Sequence, residues 1–216
     1  MLPAINSMAQ GFPYPALPMT GNSINDFIPE HWFLKDSCLG DLNKDGIPDY
    51  AMVLEYKAIV PEIRPDDSIP VKTSPRLLAV LLKDPLSGKY KLFLQNNTFI
   101  TRNGEGGMDP DAYGKISITK GILEITVQFL RGALTYQFRM QQGDLVLIGG
   151  SNSGVTAGNF TLFSADFLTN KAKTEEGRID EAKTKIKWIP IPKTPLKKLR
   201  DMKMILMWEV VKDQYL

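Results

Sequence analysis

Apolar and polar positions fall into short runs of strand length along most of the chain. Tyr50-Ala51-Met52-Val53-Leu54 sits inside Asp49 to Tyr56 and is too apolar for an exposed edge, so it predicts a strand covered on both faces. Arg76 to Lys83 reads the same way, with Leu77-Leu78-Ala79-Val80-Leu81-Leu82 at its centre. Asp84-Pro85-Leu86-Ser87-Gly88 is a turn, and Lys89 to Gln95 suits the second arm of a hairpin. Lys115 to Thr119, Ile122 to Leu130, Ala133 to Gln141 and Asp144 to Gly149 follow as strand-like runs. Lys120-Gly121, Arg131-Gly132 and Gln142-Gly143 separate them, a spacing that predicts antiparallel neighbours. Phe160 to Phe167 is a further strand.

The remaining segments are less regular. Residues 1–26 carry Pro3, Pro13, Pro15 and Pro18 and read as an extended leader, with Phe12 and Tyr14 available to pin it to a single β-rich domain over 27–216. Lys57 to Pro75 is proline-rich and charged, a long loop between strands. Asn103 to Gly114 is an acidic, glycine-rich loop. Gly149-Gly150-Ser151-Asn152-Ser153-Gly154 reads as a loop at a strand end; it lacks the lysine of a phosphate-binding loop. Thr174 to Lys187 alternates in charge and fits either a short exposed helix or a solvated hairpin. One short helix is expected at Pro195 to Met202, with Thr194 as N-cap, Pro195 at the first helical position and Leu196 and Leu199 on one face. Lys203 to Val211 closes the chain as a strand. The fold expected is therefore mainly β: a twisted antiparallel sheet or sandwich, with blade-like hairpins as a variant, and one short C-terminal helix.

Composition changes this picture little. The net charge is +2 from 26 basic and 24 acidic residues, which gives no footprint for nucleic acid. No apolar run approaches the ~18 residues that span a bilayer. The single cysteine, Cys38, excludes an intrachain disulfide framework and fits the cytosol or bacterial export alike. Ser7-Met8-Ala9 before Gln10 places small residues where a signal peptidase cuts, yet Met1 to Ala9 lacks a basic region and a long apolar stretch.

Chemistry concentrates in Gly40-Asp41-Leu42-Asn43-Lys44-Asp45-Gly46-Ile47-Pro48-Asp49. Asp41, Asn43, Asp45 and Asp49 supply side-chain oxygens, Ile47 a carbonyl, and Gly46 the sharp turn that gathers them. Calcium takes about 6–8 oxygens and tolerates irregular geometry, whereas magnesium demands a tight octahedron. Three carboxylates this close repel one another unless a cation lies among them. Position twelve is Met52, where an EF-hand places a glutamate.

The D-x-N-x-D-G-x-x-D pattern from Asp41 to Asp49 resembles the calcium loops of FG-GAP and VCBS-type repeats, which join two strands of propeller blades. The resemblance implies Asp41, Asn43, Asp45 and Asp49 as side-chain ligands of a structural calcium and Ile47 as the backbone ligand. Those repeats come in several copies, and this chain carries one. More widely, Phe27-Ile28-Pro29, Trp32, the 40–49 loop with its strand, Gly106-Gly107, Asp109-Pro110 and Leu147-Ile148-Gly149 resemble a group of uncharacterised bacterial exported or lipoprotein-like proteins. That likeness implies an exported, periplasmic or cell-surface location. A second acidic cluster, Glu105, Asp109 and Asp111, reads as an exposed loop.

Catalytic constellations are thin. His31 is the only histidine, no G-x-S-x-G elbow accompanies it, and Cys38 lacks an orienting third group. One His and one Cys are a poor zinc set. Glu30, Glu55, Glu105 and Glu124 leave paired carboxylates open. Lys193, Lys197, Lys198 and Arg200 read as a solvated basic face. The function expected is a non-catalytic exported domain that binds a protein or glycan partner. The alternatives are a periplasmic inhibitor or immunity protein presenting loops 57–75 and 101–114, and a glycan or peptidoglycan hydrolase.

Overall fold

The computed structural model describes residues 11–105 and 111–216. Ser7 to Gln10, Gly106-Gly107 and Asp109-Pro110 lie outside them. The chain opens with β1 (Thr20–Gly21), a 3-10 turn at Ile24–Phe27 and β2 (Trp32–Gly40). β3 (Asp49–Tyr56) pairs antiparallel with β2, so that Gly40 faces Asp49 across the 40–49 loop. β4 (Val60–Glu62) and β5 (Val71–Thr73) form a small hairpin within the expected 57–75 loop. β6 (Arg76–Lys83) and β7 (Tyr90–Asn96) complete a five-stranded sheet in the order β1-β7-β6-β3-β2.

A seven-stranded antiparallel meander follows: β8 (Tyr113–Thr119), β9 (Ile122–Phe129), β10 (Gly132–Gln141), β11 (Asp144–Thr156), β12 (Asn159–Asp166), β13 (Lys171–Arg178) and β14 (Thr184–Pro190). β15 (Glu209–Val211) and β16 (Gln214–Tyr215) pair near the C-terminus. Three of the meander's turns have two residues at positive φ: Lys120-Gly121 (53° and 73°), Gln142-Gly143 (49° and 77°) and Ala157-Gly158 (50° and 78°). That backbone twists with the strands it joins, and glycine adopts its second position without a steric penalty. The protein is mainly β, with antiparallel sheets that form no closed barrel among the described residues.

The two-sided hydrophobicity of β3 and β6 has a direct cause. Ala51, Val53, Leu78 and Val80 pack toward the meander's Leu123, Ile125, Leu134, Tyr136 and Phe138. Met52, Leu54, Leu77, Ala79 and Leu81 pack on the opposite side with Leu17, Phe27 and Trp32. The N-terminal segment thus covers an otherwise bare sheet face. Phe12 meets Tyr14 and Tyr56 edge-on, each at 5.1 Å between ring centres.

The two sheets meet along β2 and β8. Asp36 follows a bulge in β2, and its Oδ2 accepts hydrogen bonds from Tyr113 Oη at 2.7 Å and Ile116 N at 3.1 Å. Gly40 lies against Ile118, where an added Cβ would stand 2.3 Å from a methyl carbon.

Three expectations need correction or resolution. The helix expected at Pro195 to Met202 is only a 3-10 turn at Leu199–Asp201. Asn96 Nδ2 binds the Leu199 and Met202 carbonyls at 2.9 and 2.8 Å, and Leu147 N binds the Lys197 carbonyl at 2.8 Å. Those tertiary bonds hold the segment extended against its local propensity. The glycine-rich run 149–154 is no loop: β11 continues to Thr156, paired with β10 and β12. Thr174 to Lys187 resolves as hairpin, the arms of β13 and β14.

Candidate calcium loop

The 40–49 loop is anchored at both ends before its polar groups come into play. Leu42 is buried in the core between the sheets. Asp49 is fully buried, and its carboxylate gathers backbone donors: Leu42 N at 2.9 Å and Asn43 N at 3.4 Å on Oδ2, and Lys83 N at 3.0 Å on Oδ1. Asp49 therefore ties the loop to β3 and to the end of β6. Burial raises its pKa above the usual carboxylate value, the three amide donors pull it back, and the charge of Asp45 adds to the rise.

The other donors lie at the surface. Asp41 Oδ1 accepts from Asp45 N at 3.1 Å and Oδ2 from Gly46 N at 2.9 Å. Asn43 Oδ1 accepts from Asp45 N at 3.0 Å, and its Nδ2 donates to Asp45 Oδ2 at 2.9 Å. Asp45 Oδ1 accepts from Ile47 N at 2.8 Å. Gly46 turns the chain at φ +85° and Lys44 at +64°. The arrangement is a series of side-chain-to-backbone turns that bring Asp41, Asn43 and Asp45 together over their own amides.

The donor set suits a hard cation in part. Each oxygen of Asp41 and Asp45 accepts one hydrogen bond and keeps a second lone pair. Asp49 is more fully used, with one lone pair left on Oδ1. Among the described residues no three His, Cys, Asp or Glu side chains converge as a preformed metal cluster. Binding a cation here would require the Asn43–Asp45 side-chain bond to open so that Asn43 Oδ1 turns inward.

Glu105 and Asp111 of the second acidic cluster are tied up in ion pairs that sequence reasoning did not find. Arg76 is buried; it donates to Glu55 Oε2 at 2.5 Å and to both oxygens of Asp111 at 2.7 Å. Lys35 joins Glu55 and Asp111, each at 3.2 Å. Burial raises the Asp111 pKa, but the hydrogen bonds and charge of Arg76 outweigh it and hold the group at about 2. Arg102 clamps Asp67 with two bonds of 2.7 and 2.8 Å and binds Glu105 at 2.7 Å. Arg64 binds the buried Glu62 at 2.9 Å, and Tyr14 Oη donates to the same carboxylate. Asp109 lies outside the described residues. The only advance signal was the co-occurrence of lone arginines and acids in two proline-rich or glycine-rich loops.

The residues considered for catalysis are dispersed. His31 precedes β2 and Cys38 lies near its far end, roughly 20 Å apart along an extended strand, so they form no pair. Burial and the charge of Asp36 push the Cys38 thiol up to about 12. Glu55 and Glu105 belong to the arginine clamps, Glu30 stands beside His31 at the surface, and Glu124 accepts from Gln137 Nε2 at 3.0 Å. Among the described residues no helix is long and apolar enough to cross a membrane. Compared with protein-family models, curated proteins and solved structures, the chain finds no match.

Proposed function

We propose that this chain is a non-catalytic exported binding domain whose 40–49 loop holds a structural calcium ion. The observation that carries the reading is the gathering of Asp41, Asn43 and Asp45 at one solvent-facing turn, bracketed by the buried anchors Leu42 and Asp49. Asp41, Asn43, Asp45, a lone pair of Asp49 and the Ile47 carbonyl supply oxygens only, the chemistry calcium selects. Export rests on the likeness to bacterial exported proteins.

A bound ion would offset the mutual repulsion of these carboxylates and secure the β2–β3 connection beside the junction of the sheets. At about tenfold above its dissociation constant, calcium adds about 1.4 kcal/mol. For a chain of this size that is a rise of about 3–5 °C in melting temperature. The test is thermal unfolding in calcium and in chelator, for the parent and for Asp45→Ala. The parent should gain stability in calcium and the variant should not. Equal midpoints for the parent in both buffers sink the reading.

A further inference from the structure

The outer face of the meander carries a polar trough beside an exposed tryptophan. One lateral row crosses five strands in register: Thr135, Ser151, Ser164, Lys173 and Trp188. The neighbouring row runs Gln137, Gly149, Asp166 and Lys171. Leu134, Tyr136 and Phe138 on β10 and Phe163 and Ala165 on β12 alternate with these positions and are buried, so both rows face away from the core. Thr135, Ser151, Ser164 and Trp188 of the first row and Gln137, Asp166 and Lys171 of the second line, with Thr169, a depression of about 560 Å³. That volume falls within the ~300–1,000 Å³ of small-ligand sites.

The floor is low because its side chains are small. Gly149 leaves it bare at one point, where an added Cβ would sit 3.2 Å from Gln137 Oε1. The bond from Gln137 Nε2 to Glu124 orients that amide and leaves its oxygen over the glycine. The hydroxyls of Thr135, Ser151 and Ser164 are not engaged by other described groups, and neither is the Lys171 ammonium. Trp188 borders the trough on the edge strand β14 and is 67% exposed. Its indole offers a flat apolar face to solvent directly beside the polar trough.

The chemistry selects one kind of occupant. Flat apolar stacking on the indole is paired with hydroxyl, amide, carboxylate and ammonium groups along a line of about 19 Å, four inter-strand steps. A pyranose presents an apolar C–H face and a rim of hydroxyls, which matches both halves. Nucleic acid also stacks, but Glu124 and Asp166 on this face and Glu175 beside Lys173 oppose a phosphate chain. Glu124 and Asp166 stand three strand steps apart, about 14 Å, beyond the ~5–9.5 Å of a cleaving carboxylate pair.

We infer that this trough binds an oligosaccharide, with Trp188 stacking on a sugar ring and Thr135, Gln137, Ser151, Ser164, Asp166 and Lys171 meeting its hydroxyls. The inference rests on the binding-domain reading and is independent of calcium. The test is calorimetric titration of the full chain with cellohexaose, chitohexaose and maltohexaose, and with a single-stranded oligothymidine. The variants are Trp188→Ala, Trp188→Phe and Ser151→Leu, the last filling the floor.

At least one hexasaccharide should bind with a dissociation constant in the millimolar range or tighter. Trp188→Ala should weaken it about tenfold or more, Trp188→Phe should retain most of it, and Ser151→Leu should remove it. No binding of any of the three sugars up to about 10 mM overturns the inference. So does binding that both Trp188→Ala and Ser151→Leu leave unchanged, or binding of the oligothymidine alone. Chromatography of the titrated sugars separates the two levels. Shortened products would refute the non-catalytic reading while leaving the trough as the sugar site, whereas intact sugars without binding defeat the trough alone.

Discussion

Asp45 and Asp49 stand four positions apart in one loop and do different work. Asp45 is exposed, and its backbone contacts stay within the loop, whereas Asp49 is buried and supports three amides, two from the loop and one from the end of β6. Asp49→Ala should therefore lower stability by about 2–4 kcal/mol even in chelator, because a buried N–H, that of Leu42, and two half-buried ones lose their acceptor. Asp45→Ala should cost less than about 1 kcal/mol in chelator while losing the calcium response. Urea unfolding of both variants, with and without calcium, checks the contrast, and equal losses in chelator would refute it. The raised pKa of Asp49 sets the sign of one pH effect. A carboxyl that holds its proton more tightly when folded favours the fold below its unfolded value, and that contribution fades as pH rises through the folded one. The calcium increment should run the opposite way and shrink as pH falls into the carboxylate range. Cys38 should resist thiol reagents at pH 8 until the protein unfolds, since its thiol lies near 12.

At the scale of elements, what was legible followed from local pattern. β3 and β6 appear in the sequence at their observed bounds, because strands covered on both sides are apolar without interruption. The meander turns at Lys120-Gly121 and Gln142-Gly143 were legible from their glycines, whereas the turn expected at Arg131-Gly132 falls one residue earlier, with Gly132 already in β10. β2 was not, since its bulge at Lys35 breaks alternation and its Asp36 serves the junction with β8 rather than a face of its own sheet. The C-terminal helix failed for a related reason. Leu147 N takes the Lys197 carbonyl that a helix would have offered to Asp201 N, and Asn96, about a hundred residues upstream, holds the Leu199 and Met202 carbonyls. Asn96 Oδ1 also accepts from Thr98 N and Phe99 N at 2.9 and 2.8 Å. Asn96→Ala should thus cost about 2–4 kcal/mol and speed hydrogen exchange around Leu199 to Met202. Unchanged exchange there would show that the segment holds without it. Of the two candidate sites, the 40–49 loop is contiguous and could be seen in the sequence. The trough could not, because each strand gives it only one or two small polar side chains and only the register brings them together.

At the scale of the whole molecule, apolar packing holds the sheets while charged clamps hold the connections. Asp67 with Arg102 ties the 57–75 excursion to the segment after β7, Asp111 with Arg76 ties the start of β8 to β6, and Asp144 with Lys198 and Arg200 ties the C-terminal segment to β11. The pKa of each of the three acids is lowered. For Asp67 the Arg102 bond leads; for Asp111 and Asp144 burial opposes and the basic partners prevail. A depressed carboxyl binds fewer protons folded than unfolded, so its stabilisation is complete above the unfolded value and is lost as pH falls through the folded one. For Asp111 that window runs from the usual 3.8 down to about 2. Stability should therefore fall steeply below about pH 4, and Asp111→Asn should flatten the slope there. The same variant should lose about 2–3 kcal/mol at pH 7, because Arg76 stays buried with Glu55 as its remaining strong acceptor. Urea midpoints taken from pH 7 to pH 2 test both halves together. A variant whose acid slope equals that of the parent would show that the clamps do not govern acid unfolding, and the packed faces of β3 and β6 would then have to account for it.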